Sequence, residues 1–142
     1  MDKPDHVIHQ FVEVYSQLSK DHLSVLENLY HPDVIFEDPA HQVIGWDNLH
    51  AYFTRLFSTV RECQFVIRDT LTDGQIAYVQ WEMIFSHPRL AGGRSRTVHG
   101  CSRLEIQENQ ISRHRDYFDM GEMIYEGVPV LGAAVRQIKA RL

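Results

Sequence analysis

Arg113-His114-Arg115-Asp116-Tyr117-Phe118-Asp119 is the stretch of sequence that best predicts both a fold and a site. Read as a β-strand, it turns alternate side chains to opposite faces. One face then carries His114, Asp116 and Phe118, and the two arginines lie on the other. An imidazole, a carboxylate and an aromatic ring on one face are suited to chemistry if that face lines a cavity.

The residues before this stretch change from helical to β-strand patterns. Apolar residues recur at helical spacing over residues 4–18. Ser19 can cap a second helix, which would end at His31-Pro32-Asp33. Short strands are predicted at residues 34–38 and 43–44, and a third helix carries an apolar stripe from Leu49 to Val60.

The second half of the sequence is rich in β-strand residues. Four runs are predicted as strands, at residues 62–71, 75–87, 95–107 and 110–119. Asp73-Gly74 and Glu108-Asn109 are typical of hairpin turns, and residues 87–93 form a longer loop. A last helix is predicted around residues 131–141.

This order predicts an α+β fold in which helices and strands are segregated along the chain. N-terminal helices would pack on a strongly curved antiparallel sheet and enclose a cone-shaped cavity, with a helix at the C-terminus. The chain would be a single domain over residues 1–142, with a core at about 4–125 and a helical extension at about 126–142. Such a cone could hold a small lipophilic ligand.

Composition excludes several classes of partner. Hydrophobic residues make up 44% of the sequence and charged residues 23%, with a net charge of -5. That balance argues against nucleic acid and anionic membranes. Cys63 and Cys101 fit no metal or redox spacing and are expected to be free, buried thiols. The N-terminus lacks the apolar core of a signal peptide, so we expect a cytoplasmic protein.

The sequence resembles the nuclear-transport-factor-2-like superfamily, in its SnoaL-like and ketosteroid-isomerase-like branch. The resemblance rests on the order of short motifs: Phe36-Glu37-Asp38-Pro39, the helix that follows Gly45, the meander of strands, and Arg115-Asp116-Tyr117-Phe118-Asp119. It covers about residues 4–125. It implies a cofactor-independent isomerase or cyclase, or a lyase-like enzyme, that uses a carboxylate to move a proton on a lipophilic ring.

The resemblance also suggests roles for individual residues. In ketosteroid isomerases, the Asp of Glu-Asp-Pro is the general base, which corresponds to Asp38. Their oxyanion-hole tyrosine aligns with Tyr15. Their second donor, a protonated Asp, is replaced by Ser102, which argues against steroid isomerisation. SnoaL-like cyclases and limonene epoxide hydrolase place a catalytic Asp where this sequence has Asp116.

Epoxide hydrolysis is argued against by two other positions. The hydrolase needs an Arg and an Asp two residues apart on one strand, and Trp81 and Met83 stand there in this sequence. A one-residue slip would present Gln80 and Glu82 instead, which still supplies no arginine.

Each candidate residue also has a structural interpretation. Asp116 would be an acid–base group with its pKa raised by an apolar cone, or a structural carboxylate bonded to Arg115 or a backbone amide. Asp38 would be a base or a turn former before proline. His114 would relay protons or simply line the pocket. Tyr15 would stabilise an oxyanion or belong to the core.

The remaining predicted site residues form an apolar wall with a few polar positions. We assign as ligand-binding Phe36, Phe53, Phe57, Trp81, Met83, Ser102 and Phe118. No metal site is predicted, because the nine histidines lack close ligand spacing.

A homodimer is expected through the outer sheet face around Tyr78, Ile84 and Tyr117. The alternative to an enzyme is a binding or accessory module with the same cone. The C-terminal segment would either close the cone or cross to the partner.

Overall fold

The computed structural model describes residues 4–18 and 23–142. Its helices are α1 (Pro4–Ser16), α2 (Trp46–Thr59), α3 (Met120–Met123) and α4 (Leu131–Ala140). Its strands are β1 (Tyr30–Glu37), β2 (Gln42–Ile44), β3 (Glu62–Asp73), β4 (Ile76–Ser86), β5 (Arg96–Gln107) and β6 (Gln110–Phe118). The predicted α+β class, with helices at both ends of the chain, is confirmed.

All six strands form one mixed sheet in the order β2-β1-β6-β5-β4-β3. The four long strands are the predicted antiparallel meander. The sequence did not predict that β1 pairs in parallel with β6, nor that β6 therefore lies inside the sheet. This pairing brings the N-terminal third of the chain beside His114 and Asp116. Phe36 lies directly opposite His114 in the register.

The predicted second helix is wrong over its described part, residues 23–30. The structure has a 3₁₀ turn at Leu23–Leu26, and Tyr30 already belongs to β1. Ser19, its predicted cap, lies outside the described residues. Pro32 therefore lies within a strand, at an irregularity between Tyr30 and Ile35 in the pairing with β6. A proline is tolerated there because bulges do not need its missing N–H.

Turn chemistry agrees with the predicted hairpins. Gly74 has a φ of 60°, and Glu108 and Asn109 have φ of 55° and 61°, as a two-residue type I′ turn requires. The Glu108-Asn109 turn sets the register of β5 and β6 next to it. An irregularity between Glu105 and Ile106 then shifts the pairing by one residue, so that Ser102 pairs with Asp116.

The core lies between the inner face of the sheet and the helices. Four side chains of α1 are buried (Val7, Ile8, Phe11 and Tyr15), and α2 buries Leu49, Phe53 and Phe57. The opposite face of the sheet carries charges and tyrosines. Arg113 and Arg115 both pair with Glu37 there. Both arginines are about half exposed, so this part of the outer face is solvated.

The C-terminal segment packs against its own preceding turn. Lys139 of α4 forms ion pairs with Asp119 and Glu126, and Arg136 donates to the Glu126 carbonyl. Val130, Leu131 and Ile138 remain exposed. None of the helices in residues 4–18 and 23–142 is long and apolar enough to cross a membrane.

Candidate active site

A cavity of about 50 Å³ lies between α1, α2 and the inner face of the sheet. This volume has room for a few water molecules. Apolar and aromatic side chains make up most of the lining: Phe11, Phe36, Phe53, Leu56, Phe65, Ile67, Trp81, Met83, Val98, Phe118 and Met123. The polar groups are few: Tyr15, Asp38, Tyr52, Ser102, His114 and Asp116.

The predicted site residues are therefore brought together, with one exception. All four residues assigned to catalysis line the cavity, as do six of the seven assigned to binding. Phe57 is buried in the core, one helical turn beyond Phe53, and is not among the lining residues. On an α-helix, two residues four apart face the same side but lie at different depths, and the cavity reaches only Phe53.

Asp116 is held by one of its two carboxylate oxygens. Oδ1 lies 2.6 Å from Nε2 of His114 and accepts a hydrogen bond of 2.5 Å from Oγ of Ser102. Ser102 in turn accepts a hydrogen bond of 2.9 Å from Nε1 of Trp81. Among the described residues, none donates a hydrogen bond to Oδ2 of Asp116. The side chain is thus fixed in position while one oxygen stays available to a ligand.

The alternative interpretation of Asp116 as a partner of Arg115 is wrong. Arg115 points to the other face of the sheet and pairs with Glu37 at 3.0 Å. The partners of Asp116 are instead His114 and Ser102, both nearly completely buried.

Trp81 owes its position to a glycine on the neighbouring strand. A Cβ atom at Gly100 would lie 2.3 Å from Cη2 of Trp81, so only glycine lets the indole lie flat on β5. Trp81 and Met83 are buried and line the cavity, whereas Glu82 lies on the opposite face with Arg68 and His99. The register is therefore the one without the slip, and the epoxide hydrolase constellation is missing.

His114 connects Asp116 to two buried tyrosines. Nδ1 of His114 lies 2.8 Å from Oη of Tyr30, and Oη of Tyr30 lies 2.6 Å from Oη of Tyr15. Burial raises the pKa of both tyrosines far above the ordinary value, so both remain neutral hydroxyls. Both ring nitrogens of His114 are engaged, so its ring cannot bond a ligand directly without breaking a contact.

Asp38 is bonded through both carboxylate oxygens. Oδ1 accepts hydrogen bonds from the backbone N–H groups of Ala40 and His41, at 2.8 and 2.7 Å. Oδ2 accepts one of 2.5 Å from the Tyr52 hydroxyl. Burial, followed by this bond to Asp38, raises the pKa of Tyr52 strongly. Asp38 therefore shapes the turn between β1 and β2, as the turn interpretation predicted, while it also borders the cavity.

The sequence interpretation missed two polar residues near the cavity. Tyr30 was placed on a helix, although the alternation of Tyr30, Pro32, Val34 and Phe36 has the period of a strand. Tyr52 was taken only as part of the apolar stripe of its helix. Its spacing from Asp38 gives no signal, because the contact depends on how α2 packs against β1.

The model of the SnoaL-like domain matches residues 8–114, which is most of the chain. The protein belongs to the SnoaL-like domain family. The match includes Tyr15, Tyr30, Asp38 and His114, and Asp116 lies two residues beyond its end. No curated protein sequence matches the chain significantly.

Solved structures share the fold of this SnoaL-like protein at low sequence identity. A ketosteroid-isomerase-like protein from Catenulispora acidiphila, in complex with trimethylamine, has a TM-score of 0.74 and 11% identity over 89% of this chain and 96% of its own. A nuclear-transport-factor-2-like protein of unknown function from Burkholderia pseudomallei has a TM-score of 0.74 and 17% identity, over 87% of this chain and 95% of its own. A candidate SnoaL-like polyketide cyclase from Jannaschia sp. CCS1 has a TM-score of 0.72 and 14% identity, over 84% of this chain and 92% of its own.

The SnoaL-like site contains chemistry for proton transfer. It has one carboxylate with an available oxygen, hydroxyl groups that stay neutral, and mostly apolar walls. Among the described residues, no three His, Cys, Asp or Glu side chains converge where they could hold a metal ion. Cys63 lies outside the cavity lining, and burial raises the pKa of its thiol to about 12.

Proposed function

We propose that this protein is an enzyme that moves a proton on a compact lipophilic ring compound, with Asp116 as the acid–base group. The observation that carries the proposal is the asymmetry of the Asp116 carboxylate. Oδ1 is held by His114 and Ser102, no described residue donates a hydrogen bond to Oδ2, and Asp116 lines an apolar cavity. A fixed carboxylate beside a bound carbon acid is the arrangement that general base catalysis needs.

The proton transfer can be written with these residues alone. Oδ2 of Asp116 takes a proton from the carbon next to a ring carbonyl. The C–H electron pair forms a carbon–carbon double bond, and the carbonyl oxygen becomes an oxyanion, which the Tyr15 hydroxyl stabilises when it is turned to the cavity. Return of the same proton to another carbon of the conjugated system completes an isomerisation. In a cyclisation, the enolate carbon attacks a second carbonyl carbon, and the oxygen of that carbonyl takes the proton back from Asp116. Neither route requires a cofactor.

The size of the cavity restricts the substrate class. A volume of about 50 Å³ does not hold a steroid, so a ring ligand must be small or must displace flexible side chains. Met83 and Met123 are the flexible members of the wall, because an unbranched thioether repacks at little cost. Membership of a family with the fold of polyketide cyclases supports a ring substrate.

An exchange assay tests the proposal without knowledge of the natural substrate. Cyclohexanone and 2-tetralone are incubated with the protein in D₂O, and loss of their α-proton signals is followed by NMR. Catalysed exchange in the wild type and its loss in Asp116→Asn is the expected result. Asp73→Asn, in the turn after β3, is the matched control and should exchange normally. Equal exchange by the wild type and Asp116→Asn would refute the role of Asp116.

A second candidate function is a ligand-binding module without catalysis. Both oxygens of Asp38 accept hydrogen bonds, so this second carboxylate is committed to a turn. That arrangement favours binding without catalysis. This alternative predicts that Asp116→Asn binds ring ligands as well as the wild type does, or better, because burial of a charge is avoided. Turnover that depends on the Asp116 carboxylate would exclude it.

We further propose that the protein forms a homodimer through the outer face of the sheet. Tyr78 and Tyr117 are 43% and 50% exposed there, and Arg115 lies 5.0 Å from the Tyr117 ring. Exposed aromatic residues and arginines are enriched at interfaces. Sedimentation of the wild type and of Tyr117→Glu tests this: a dimer should become a monomer, and an unchanged mass would refute this surface.

We also propose a cytoplasmic location. Cys63 and Cys101 are both free thiols, which is usual in a reducing compartment. Cell fractionation checks this expectation, and recovery in a membrane or secreted fraction would contradict it.

A further inference from the structure

The buried polar groups beside the cavity form a single row. Tyr15, Tyr30, His114 and Asp116 follow one another at separations of 2.6, 2.8 and 2.6 Å. The first three are 5%, 1% and 2% exposed. Water therefore has little access to their hydrogen bonds, and each group must find its partner within the row.

The direction of this row follows from the protons that His114 carries. A carboxylate at Asp116 only accepts, so the facing Nε2 of His114 bears a hydrogen. In a neutral imidazole, Nδ1 then has none and accepts from the Tyr30 hydroxyl. The Tyr30 oxygen in turn accepts from the Tyr15 hydroxyl. Tyr15, which lines the cavity, is left with a lone pair for a ligand.

We propose that His114 is a positioning residue that sets the direction of the Tyr30–Tyr15 hydroxyl row and so decides whether Tyr15 offers a ligand an acceptor or a donor. When His114 carries two protons, both of its nitrogens donate. Nδ1 then donates to Tyr30, Tyr30 donates to Tyr15, and the Tyr15 hydroxyl turns to the cavity. The same pocket thus selects ring hydroxyls in one state and ring ketones or ethers in the other.

A partial reversal is disfavoured by the short distances. If Tyr15 alone turned its hydroxyl to a ligand, two oxygens 2.6 Å apart would face each other without a hydrogen between them. If Tyr30 also turned while His114 stayed neutral, Nδ1 and the Tyr30 oxygen would do the same at 2.8 Å. A buried acceptor without a donor is costly, so the row reverses as a unit.

Other titratable groups surround His114 on three sides. Tyr15 comes from α1, Tyr30 from β1 and Asp116 from β6, while Asp38 and Tyr52 border the same cavity. Burial keeps the three tyrosines protonated. Carboxylates ordinarily lose their protons well below neutral pH and imidazoles near it. The aromatic neighbours Phe11 and Phe36 carry no charge.

This inference rests on the cavity that the proposed function uses, but its test is binding rather than turnover. Phenol and anisole differ by one methyl group, and only phenol can donate a hydrogen bond. Calorimetric titrations compare them at about pH 5.5 and about pH 8.5, and ¹⁵N spectra report how many protons His114 carries at each pH. Anisole should bind more weakly at the higher pH by up to about tenfold, the value of one hydrogen bond. Phenol should change little.

Two variants and a spectrum separate the row from general effects of pH. Tyr30→Phe interrupts the row. It should abolish the difference between phenol and anisole in how their affinities change with pH. Tyr125→Phe, the same change at an exposed tyrosine outside the cavity lining, should preserve it. In ¹⁵N spectra of the free wild type at high pH, Nδ1 of His114 should have no hydrogen. An Nδ1–H signal there, failure of both ligands to bind, or a difference that survives in Tyr30→Phe would overturn the proposal. The exchange assay decides the proposed function separately.

Discussion

Asp38 and Asp116 border the same cavity but differ in how their oxygens are used. Asp38 accepts hydrogen bonds at both oxygens, from two backbone amides and from Tyr52. Within residues 4–18 and 23–142, Asp116 accepts them at Oδ1 alone. A carboxylate whose two oxygens both accept hydrogen bonds stabilises the local structure, and one with an unbonded oxygen can take a proton there. The comparison shows that position beside a cavity is not enough to identify a base.

The largest expected effect comes from Asp116→Asn. Loss of a general base typically costs about 10²- to 10⁴-fold in rate, and we expect α-proton exchange to fall within that range. The free energy of unfolding should change much less, because the amide keeps an oxygen for Ser102. NMR exchange and urea unfolding measure the two quantities on the same preparations. A large loss of stability without loss of exchange would reverse the roles assigned to the two carboxylates.

Asp38→Ala should lower the stability of the protein more than its rate of α-proton exchange. The substitution leaves two backbone N–H groups and the Tyr52 hydroxyl without their acceptor, and we expect the free energy of unfolding to fall by about 2 kcal/mol. Urea unfolding measures the loss. Asp38→Asn keeps an amide oxygen for the backbone donors and should recover part of it. If Asp38→Asn were as stable as the wild type yet inactive, Asp38 would be the base.

Ser102→Ala tests whether the hydrogen bond from Ser102 positions the Asp116 carboxylate. It removes one hydrogen bond to Oδ1 and leaves the Trp81 N–H without an acceptor. We expect a loss of about 1 kcal/mol in stability and a smaller drop in exchange than in Asp116→Asn. Ser112→Ala, which loses only a bond to a backbone carbonyl, is the control. Equal effects of the two variants would mean that Ser102 does not position Asp116.

The smallest effect concerns a carboxylate–histidine pair that water can reach. His99 bonds to Glu122 and also lies near Glu82, and the bond to Glu122 raises the pKa of His99 above its usual 6.5. Its stabilisation is therefore present below about pH 6.5 and is lost as the pH rises through the raised value. The Tm of the wild type should exceed that of His99→Gln at about pH 6 and converge with it at higher pH. A constant difference would contradict this linkage.

The sequence predicted what depends on local pattern. Alternation gave the inward position of His114 and Asp116, and hairpin turns such as Glu108-Asn109 gave the meander. It did not give the parallel pairing of β1 with β6, because no local signal specifies a partner about 80 residues away. Tyr30 was misassigned for the same reason. Pro32 is typical of the end of a helix, and only the pairing of β1 with β6 shows that it belongs to a strand.

The parallel pairing has a consequence for how the molecule is made. During synthesis, Tyr15, Tyr30 and Asp38 leave the ribosome long before the strand that carries His114 and Asp116. β1 can complete its place in the sheet only after β6 has arrived. A nascent chain shorter than about 118 residues therefore has hydrophobic helices without their inner strand, and it needs protection from aggregation. The proposed proton transfer needs Asp116, which this strand carries, so truncated products are expected to lack it.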